Sequence, residues 1–429
     1  MLRHAAAGLC LVVLLVPVAH AKNIWRLTDI NEGAGGSYPS YLTLYDGDLY
    51  FRANDKPGKA DIELWRYDPD TGAATQAADI RPGDEGSGIA DLVVYGGDLY
   101  FAASAGSGMQ LWQFDGTTAS PVTTFSVSDG LPQEMTAYGS FLIYRQSHFG
   151  AATDLYRYDG SAQAPIDAAG GGNVLLPQFF TEYDGYLYFS AGSGTGGAEL
   201  WRTNGTAATQ VTTILSGNGG DPRNLCVYDG DLYFSARDGT HGNELWKWDG
   251  AAASLVEDLV PGGQYDSGNP SGMTVYDGKL YFSAWDADHG CELWAYDAAT
   301  EDAERVAEIN PTPNPGGGDD WMMDSNPMDF IVYEGVLYFT ATDGSEADDH
   351  GREIWSWDGM QAELEFDLYT GQYGSDPSEL LLVGDSVYLE ADDGIHGSEL
   401  WQMTFPEPAT LALLASGAAA LAIRRRRRR

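Results

Sequence analysis

Imidazole and carboxylate recur together along this chain. His241, His289, His350 and His396 each begin a His-Gly-x-Glu tetrad, and Asp238, Asp286, Asp343 and Asp393 precede them. Such a donor set could hold a divalent metal or work as an acid–base pair. Glu63, Glu199, Glu244, Glu292, Glu353 and Glu399 each stand immediately before Leu-Trp or Ile-Trp. Two carboxylates about 5 to 10 Å apart are what glycoside hydrolysis needs. Both sets, however, recur once per unit of a long repeat, and a residue repeated in every unit generally serves the unit. Successive units of a ring cannot bring equivalent histidines to the roughly 2.0–2.1 Å that zinc–nitrogen bonds require. The histidines, His148 between its own second and third strands included, are therefore expected to stabilise turns. Calcium could be met at Asp286–Asp288 or at Asp392 and Asp393, although spacing alone does not supply six to eight oxygens. The chain has no nucleophile elbow, no zinc-binding helix signature and no phosphate-binding glycine loop.

Departures from the repeat are better candidates, because packing of the units does not demand them. The insertion Pro311–Ser325 sets Asp319, Asp320, Trp321 and Met322 on a Gly- and Pro-rich loop. An aromatic ring beside carboxylates fits a sugar or calcium ligand; the other reading is a surface elaboration with Trp321 packed on its own unit.

Charge narrows the partners. Setting aside Arg3, the six terminal arginines and Glu407 leaves 16 basic and 62 acidic residues between Lys22 and Phe405, a net charge of −46. Nucleic acid and anionic membrane surfaces are repelled by such a field, while divalent cations and cationic polymers are attracted. Only Cys226 and Cys291 lie in this segment, in neighbouring units but at different strands, so free thiols are expected rather than a bridge.

The elements that must position these residues repeat eight times. Trp65, Trp112, Tyr156, Trp201, Trp246, Trp294, Trp355 and Trp401 mark the units at intervals of 44 to 48 residues, except for one step of 61 across the insertion. Short β-rich runs separated by Gly and Asp read as strands joined by tight turns. In the fifth copy these are Leu225–Tyr228, Leu232–Ala236 and Glu244–Trp248, preceded by a weaker strand at Thr209–Ile214. Asp229-Gly230 forms the first turn, and Asp238-Gly239 to Gly242 the second. Runs such as Leu232-Tyr233-Phe234 are apolar on both faces and must be covered on both sides. An all-β, eight-bladed β-propeller of four-stranded antiparallel blades follows. Asn23–Ile30 matches a fourth strand and the chain's repeats end at a third, Glu399–Thr404, so the N-terminal strand is expected to complete the last blade.

The two ends give an address. Arg3, the apolar stretch Leu9–Val18 and Ala19-His20-Ala21 form a secretory signal peptide over residues 1–21, which removes Cys10 and starts the mature chain at Lys22. At the other end, Pro406-Glu407-Pro408 precedes fifteen mostly apolar residues, Ala409–Ile423, and the arginines Arg424–Arg429. That run is shorter than the roughly twenty residues of a stable membrane helix, and it reads as a transient inner-membrane handle with its end in the cytoplasm. Residues 406–429 closely resemble the PEP-CTERM sorting signal of exopolysaccharide-producing Gram-negative bacteria. The signal peptide gives export by the Sec route, and the resemblance implies processing by an exosortase at the triplet and release or attachment at the cell surface.

Between these ends, ELWRYDPDTG, LWQFDGT, LYRYDGS, ELWRTNGT, ELWKWDG, ELWAYDAAT, EIWSWDG and ELWQM resemble the bacterial ELWxxDGT-repeat family. That family implies a propeller and names no ligand. The Asp68–Thr71 and Asp297–Thr300 turns also resemble those of quinoprotein propellers, but the adjacent cysteines of some of those enzymes are missing, and no quinone is inferred. The resulting expectation is a non-enzymatic surface or matrix protein, without a cofactor unless calcium is bound, whose partners are the exosortase and extracellular polysaccharide or a surface protein. A secreted carbohydrate-active enzyme using the rim or channel is the alternative, and a calcium-stabilised structural protein the second.

Overall fold

The computed structural model describes residues 22–404 apart from 57, 60, 123–129, 131, 147–153, 195, 264, 312–323, 345–349 and 372. Eight four-stranded antiparallel sheets follow one another along the chain. Seven are built from consecutive strands. The eighth takes its fourth strand from the N-terminus, with Asn23–Arg26 paired to Ser398–Thr404. First strands of successive blades neighbour one another around the whole ring, and that of blade 8 returns to that of blade 1. The chain is an eight-bladed β-propeller closed as expected.

Local chemistry accounts for the blades. Asp229 and Gly230 both have positive φ, 47° and 86°, as do Asp46 and Gly47, Asp184 and Gly185, and Asp277 and Gly278. Two positive values in a row define the turn whose twist matches a tight hairpin. A second turn chemistry closes the third and fourth strands. Asp115, Asp159, Asp249 and Asp358 each accept backbone N–H bonds from residues two and three positions on, and Asn204 does the same.

One expected strand belongs elsewhere. The weak run at Thr209–Ile214 is a strand only over Ala208–Gln210, and it is the outer strand of blade 4, paired to Ala198–Thr203, not part of blade 5. The Asn204-Gly205-Thr206 turn folds it back on the strand before it. Blade 5 instead receives Ala253–Glu257.

Apolar clusters lie between blades. Leu64 and Ile80 of blade 1 pack with Leu99 and Phe101 of blade 2, and Leu49 and Phe51 of blade 1 pack with Tyr388 and Leu400 of blade 8. Phe51, Phe101, Phe189, Phe234, Phe282 and Phe339, one in each of six second strands, have no solvent exposure. Each such ring contributes roughly 1.5–3 kcal/mol by leaving water.

Strand directions divide the ring into two faces. The second-to-third-strand turns and the connections between blades lie on one rim; the Asp-Gly hairpins lie on the other. The final strand runs away from its His396 turn, so Thr404, and Asn23 opposite it in register, end on the hairpin face.

Candidate functional site

The histidine turns gather on the rim opposite the termini. Each ring nitrogen Nδ1 meets its own aspartate: His241 with Asp238 at 2.8 Å, His289 with Asp286 at 2.8 Å, His350 with Asp343 at 2.6 Å and His396 with Asp393 at 2.7 Å. The same carboxylates accept backbone N–H groups of their turns, as Asp238 does from Thr240 and His241. Burial would raise Asp238 and Asp393, but these hydrogen bonds outweigh it and hold both below the usual carboxylate range. Every pair is satisfied within one turn, and among the described residues no three His, Cys, Asp or Glu side chains are placed to hold a metal. His148 lies outside the described residues.

The six glutamates are drawn into the protein rather than presented to a substrate. Five of them, Glu63, Glu244, Glu292, Glu353 and Glu399, have no exposed surface, and Glu199 is buried. Each reaches from its third strand into the connection leading to the next blade. Glu63 accepts from Ile80 N, Arg81 N, Ser87 N and Ser87 Oγ at 2.8–3.2 Å. Glu353 binds Leu368 N, Tyr369 N, Ser375 N and the Ser375 hydroxyl. Glu399 performs the same task across the ring closure, with Thr28 Oγ1 and Ser37 Oγ both at 2.7 Å. Asp154 takes this place in blade 3, where its carboxylate accepts Leu176 N at 3.0 Å. Sequence reasoning omitted it, although its position just before Leu155-Tyr156 was the available signal.

Burial pushes the Glu244 and Glu292 carboxyls up to about 8 and Glu353 up to about 7, while the N–H donors pull the other way. The native state then holds protons that the unfolded chain, with carboxyls near 4.5, has released. Stability should therefore be full below about pH 4.5 as far as these groups are concerned, and fall as pH rises toward about 8. Urea unfolding across that window should show stability falling steadily as pH rises. The double change Glu244→Gln, Glu292→Gln should flatten the slope; an unchanged slope would assign it to other groups.

A ring of exceptional backbone residues occupies the inner strands. Tyr41, Asp91, Glu134, Phe179, Asn224, Gly272, Asp329 and Glu379, one per blade, all have positive φ between 53° and 62°, each at a bulge where the pairing register shifts. Four are acids, in blades 7, 8, 2 and 3, and Tyr41 of blade 1 stands between them. Burial raises the Tyr41 phenol first, then Asp91, with Glu379 and Glu134 adding to it and Arg52 opposing. Two of these acids tie blades together: the Glu379 carboxylate accepts Tyr41 N and Leu42 N across the closure, and Asp91 accepts Glu134 N. This acidic arc was not legible in the sequence, because the residue type changes from blade to blade.

Cys226 and Cys291 are free, on the first strand of blade 5 and the third of blade 6. Burial raises both thiols to about 11, which leaves little thiolate for nucleophilic chemistry. The residues flanking the insertion lie on the histidine rim, where Glu292 accepts Asn310 N at 3.0 Å and Ser325 Oγ at 2.8 Å. Asp319, Asp320 and Trp321 themselves lie outside the described residues, as do Pro406, Glu407 and Pro408.

Residues 406–428 match the family model of the PEP-CTERM protein-sorting motif. The chain carries an exosortase sorting signal. The PEP-CTERM motif indicates an exported protein, processed by an exosortase, with a surface or extracellular location afterwards, and the cargo it delivers is a propeller. Among the described residues no helix is long and apolar enough to cross a membrane. A search of curated proteins gives no match.

Solved structures are similar at low identity. A puromycin-hydrolyzing peptidase of Mycobacterium tuberculosis is 12% identical with a TM-score of 0.46, over 85% of this chain and 59% of that one. The Niastella koreensis GH74 enzyme is 13% identical with a TM-score of 0.42, over 86% and 59%. The β-propeller domain of the Trilobed protease from Pyrococcus furiosus is 11% identical with a TM-score of 0.38, over 77% and 97%. The chain spans about three fifths of the length of the first hydrolases it matches.

Proposed function

We propose that this protein is a non-enzymatic binding or scaffold propeller of the cell surface or extracellular matrix, built from ELWxxDGT-type repeats. Residues 1–21 would carry it through the Sec route, and exosortase processing at Pro406-Glu407-Pro408 would leave residues 22–405 outside the inner membrane. The observation that carries this reading is the employment of the repeated chemistry. The buried glutamates hold the connections between blades, and the Asp–His pairs close their own turns, so neither set is left to act on a substrate. The histidine rim, opposite the termini, is the face such a protein offers to a partner. Extracellular polysaccharide is the partner class we favour.

The carbohydrate-active alternative draws on the acidic arc of Asp91, Glu134, Asp329 and Glu379, whose members do not recur in every blade. The test is incubation of residues 22–405 with the producing organism's extracellular polysaccharide, with and without calcium, followed by co-sedimentation and a reducing-end assay. Co-sedimentation without new reducing ends is expected. New reducing ends would replace this reading with the enzymatic one, and binding lost on chelation would bring forward the calcium-stabilised reading.

A further inference from the structure

We infer that the histidine rim at the junction of blades 7, 8 and 1 holds a subsite for a cationic amino-sugar chain. This inference rests on the matrix-binding reading and names its ligand chemistry. Tyr373, in the connection from blade 7 to blade 8, is 70% exposed, and Ile395, at the tip of the blade 8 histidine turn, is 67% exposed. The Tyr369 and Tyr373 rings lie 5.8 Å apart at 33°. Tyr369 is seated against Gly394, where an added Cβ would fall 2.5 Å from its ring, which ties the tyrosine pair to the turn that carries Ile395. Across the blade 8 to blade 1 closure, Tyr38 is 61% exposed and donates its backbone N–H to Ser398 O at 3.0 Å.

The exposed side chains of Tyr373 and Ile395 stand on adjoining segments of this rim, with Tyr38 on the next connection, and exposed apolar surface of this kind marks interaction sites. Carboxylates border them. Asp392 donates its backbone N–H to Ser375 O at 2.9 Å, two residues beyond Tyr373, and its side chain accepts Gly394 N at 2.7 Å. Burial raises the Asp376 carboxyl, the Arg352 guanidinium opposes this, and Asp392 adds to it. Aromatic rings flanked by carboxylates attract an ammonium group, through the ring face and through charge. A chain of net charge −46 repels anionic polysaccharide and draws a polycation toward any face. Alternating ring faces and ammonium groups are what a de-N-acetylated glucosamine polymer presents. The first strand begins at Asn23 and the last ends at Thr404, both on the opposite face.

The experiment is titration of residues 22–405 with glucosamine oligomers at mildly acidic pH, alongside fully N-acetylated oligomers of the same length. Wild type should bind the amine form and not the acetylated form. Tyr373→Ala should weaken that binding about fivefold, Tyr373→Phe should retain it because the ring face remains, and Met360→Ala on the opposite face should leave it unchanged. Equal binding of both oligomers, or binding indifferent to Tyr373→Ala, would overturn the subsite. Failure to bind glucosamine oligomers while the native polysaccharide still co-sediments would end this inference and leave the matrix reading standing. Failure of both would end both.

Discussion

A chain beginning at residue 31 should lose about 5 kcal/mol or more of stability relative to one beginning at Lys22, or fail to remain soluble. Removing residues 22–30 deletes four strand pairs, Asn23 to Arg26 against Thr404 to Trp401. It also removes Thr28 Oγ1 and Ile30 N, both donors to the buried Glu399, and Leu27 and Ile30, which pack against the cluster joining blades 8 and 1. The final strand, Ser398–Thr404, would become an unprotected sheet edge, a template for pairing with other chains. Adding residues 22–30 as a separate peptide should restore part of the loss, which separates missing closure from general damage. Equal urea midpoints for the two chains would show that the N-terminal strand does not close the ring.

The second large effect is expected at the buried glutamates. Glu399→Ala should cost roughly 4 kcal/mol, because the shared acceptor disappears while its four donors stay buried. Those donors are Thr28 Oγ1, Ile30 N, Ser37 N and Ser37 Oγ, at 2.7–3.3 Å. Glu399→Gln keeps one accepting oxygen but turns an amide NH2 toward backbone N–H groups, and an intermediate loss of about 2 kcal/mol is expected. Equilibrium unfolding of both variants is the check. A loss under about 1 kcal/mol for Glu399→Ala would mean that water replaces the carboxylate and that the blade connections are held by apolar packing instead.

Much of this architecture could be read from residue types. The aromatic marker of each unit is a large side chain at a fixed place in the third strand, and Asp-Gly hairpins leave a signature that spacing preserves. Closure was legible for the same reason, since Asn23–Ile30 looks like the outer strands elsewhere. The misplaced strand at Thr209–Ile214 shows where this fails. Ala208–Gln210 is short and carries no large apolar residue, so pattern alone could not tell which neighbour it pairs with; the Asn204 turn decided it.

The candidate site was less accessible. Glu63 and its counterparts were visible as a repeat, but their partners are mostly backbone N–H groups, which any residue type supplies. The inner-strand bulges were hidden for the opposite reason. Their conformation is common to all eight blades, whereas the side chains range from glycine to tyrosine. The exposed tyrosines, finally, became notable only when the fold brought Tyr373, Ile395 and Tyr38 to one junction.

The placement of the last strand also has a mechanical meaning. Ser398–Thr404 is not an edge of its blade: four residue pairs join it to the N-terminal strand on one side, and seven join it to Ser386–Asp392 on the other. Any tension applied through the tail that follows Thr404 acts along this strand, at right angles to both rows of hydrogen bonds. Both rows are then loaded in shear and share the force, rather than opening one bond at a time. A protein moored to a cell by its C-terminus and pulled by flowing medium or a contracting matrix would resist at the point where its ring is also sealed.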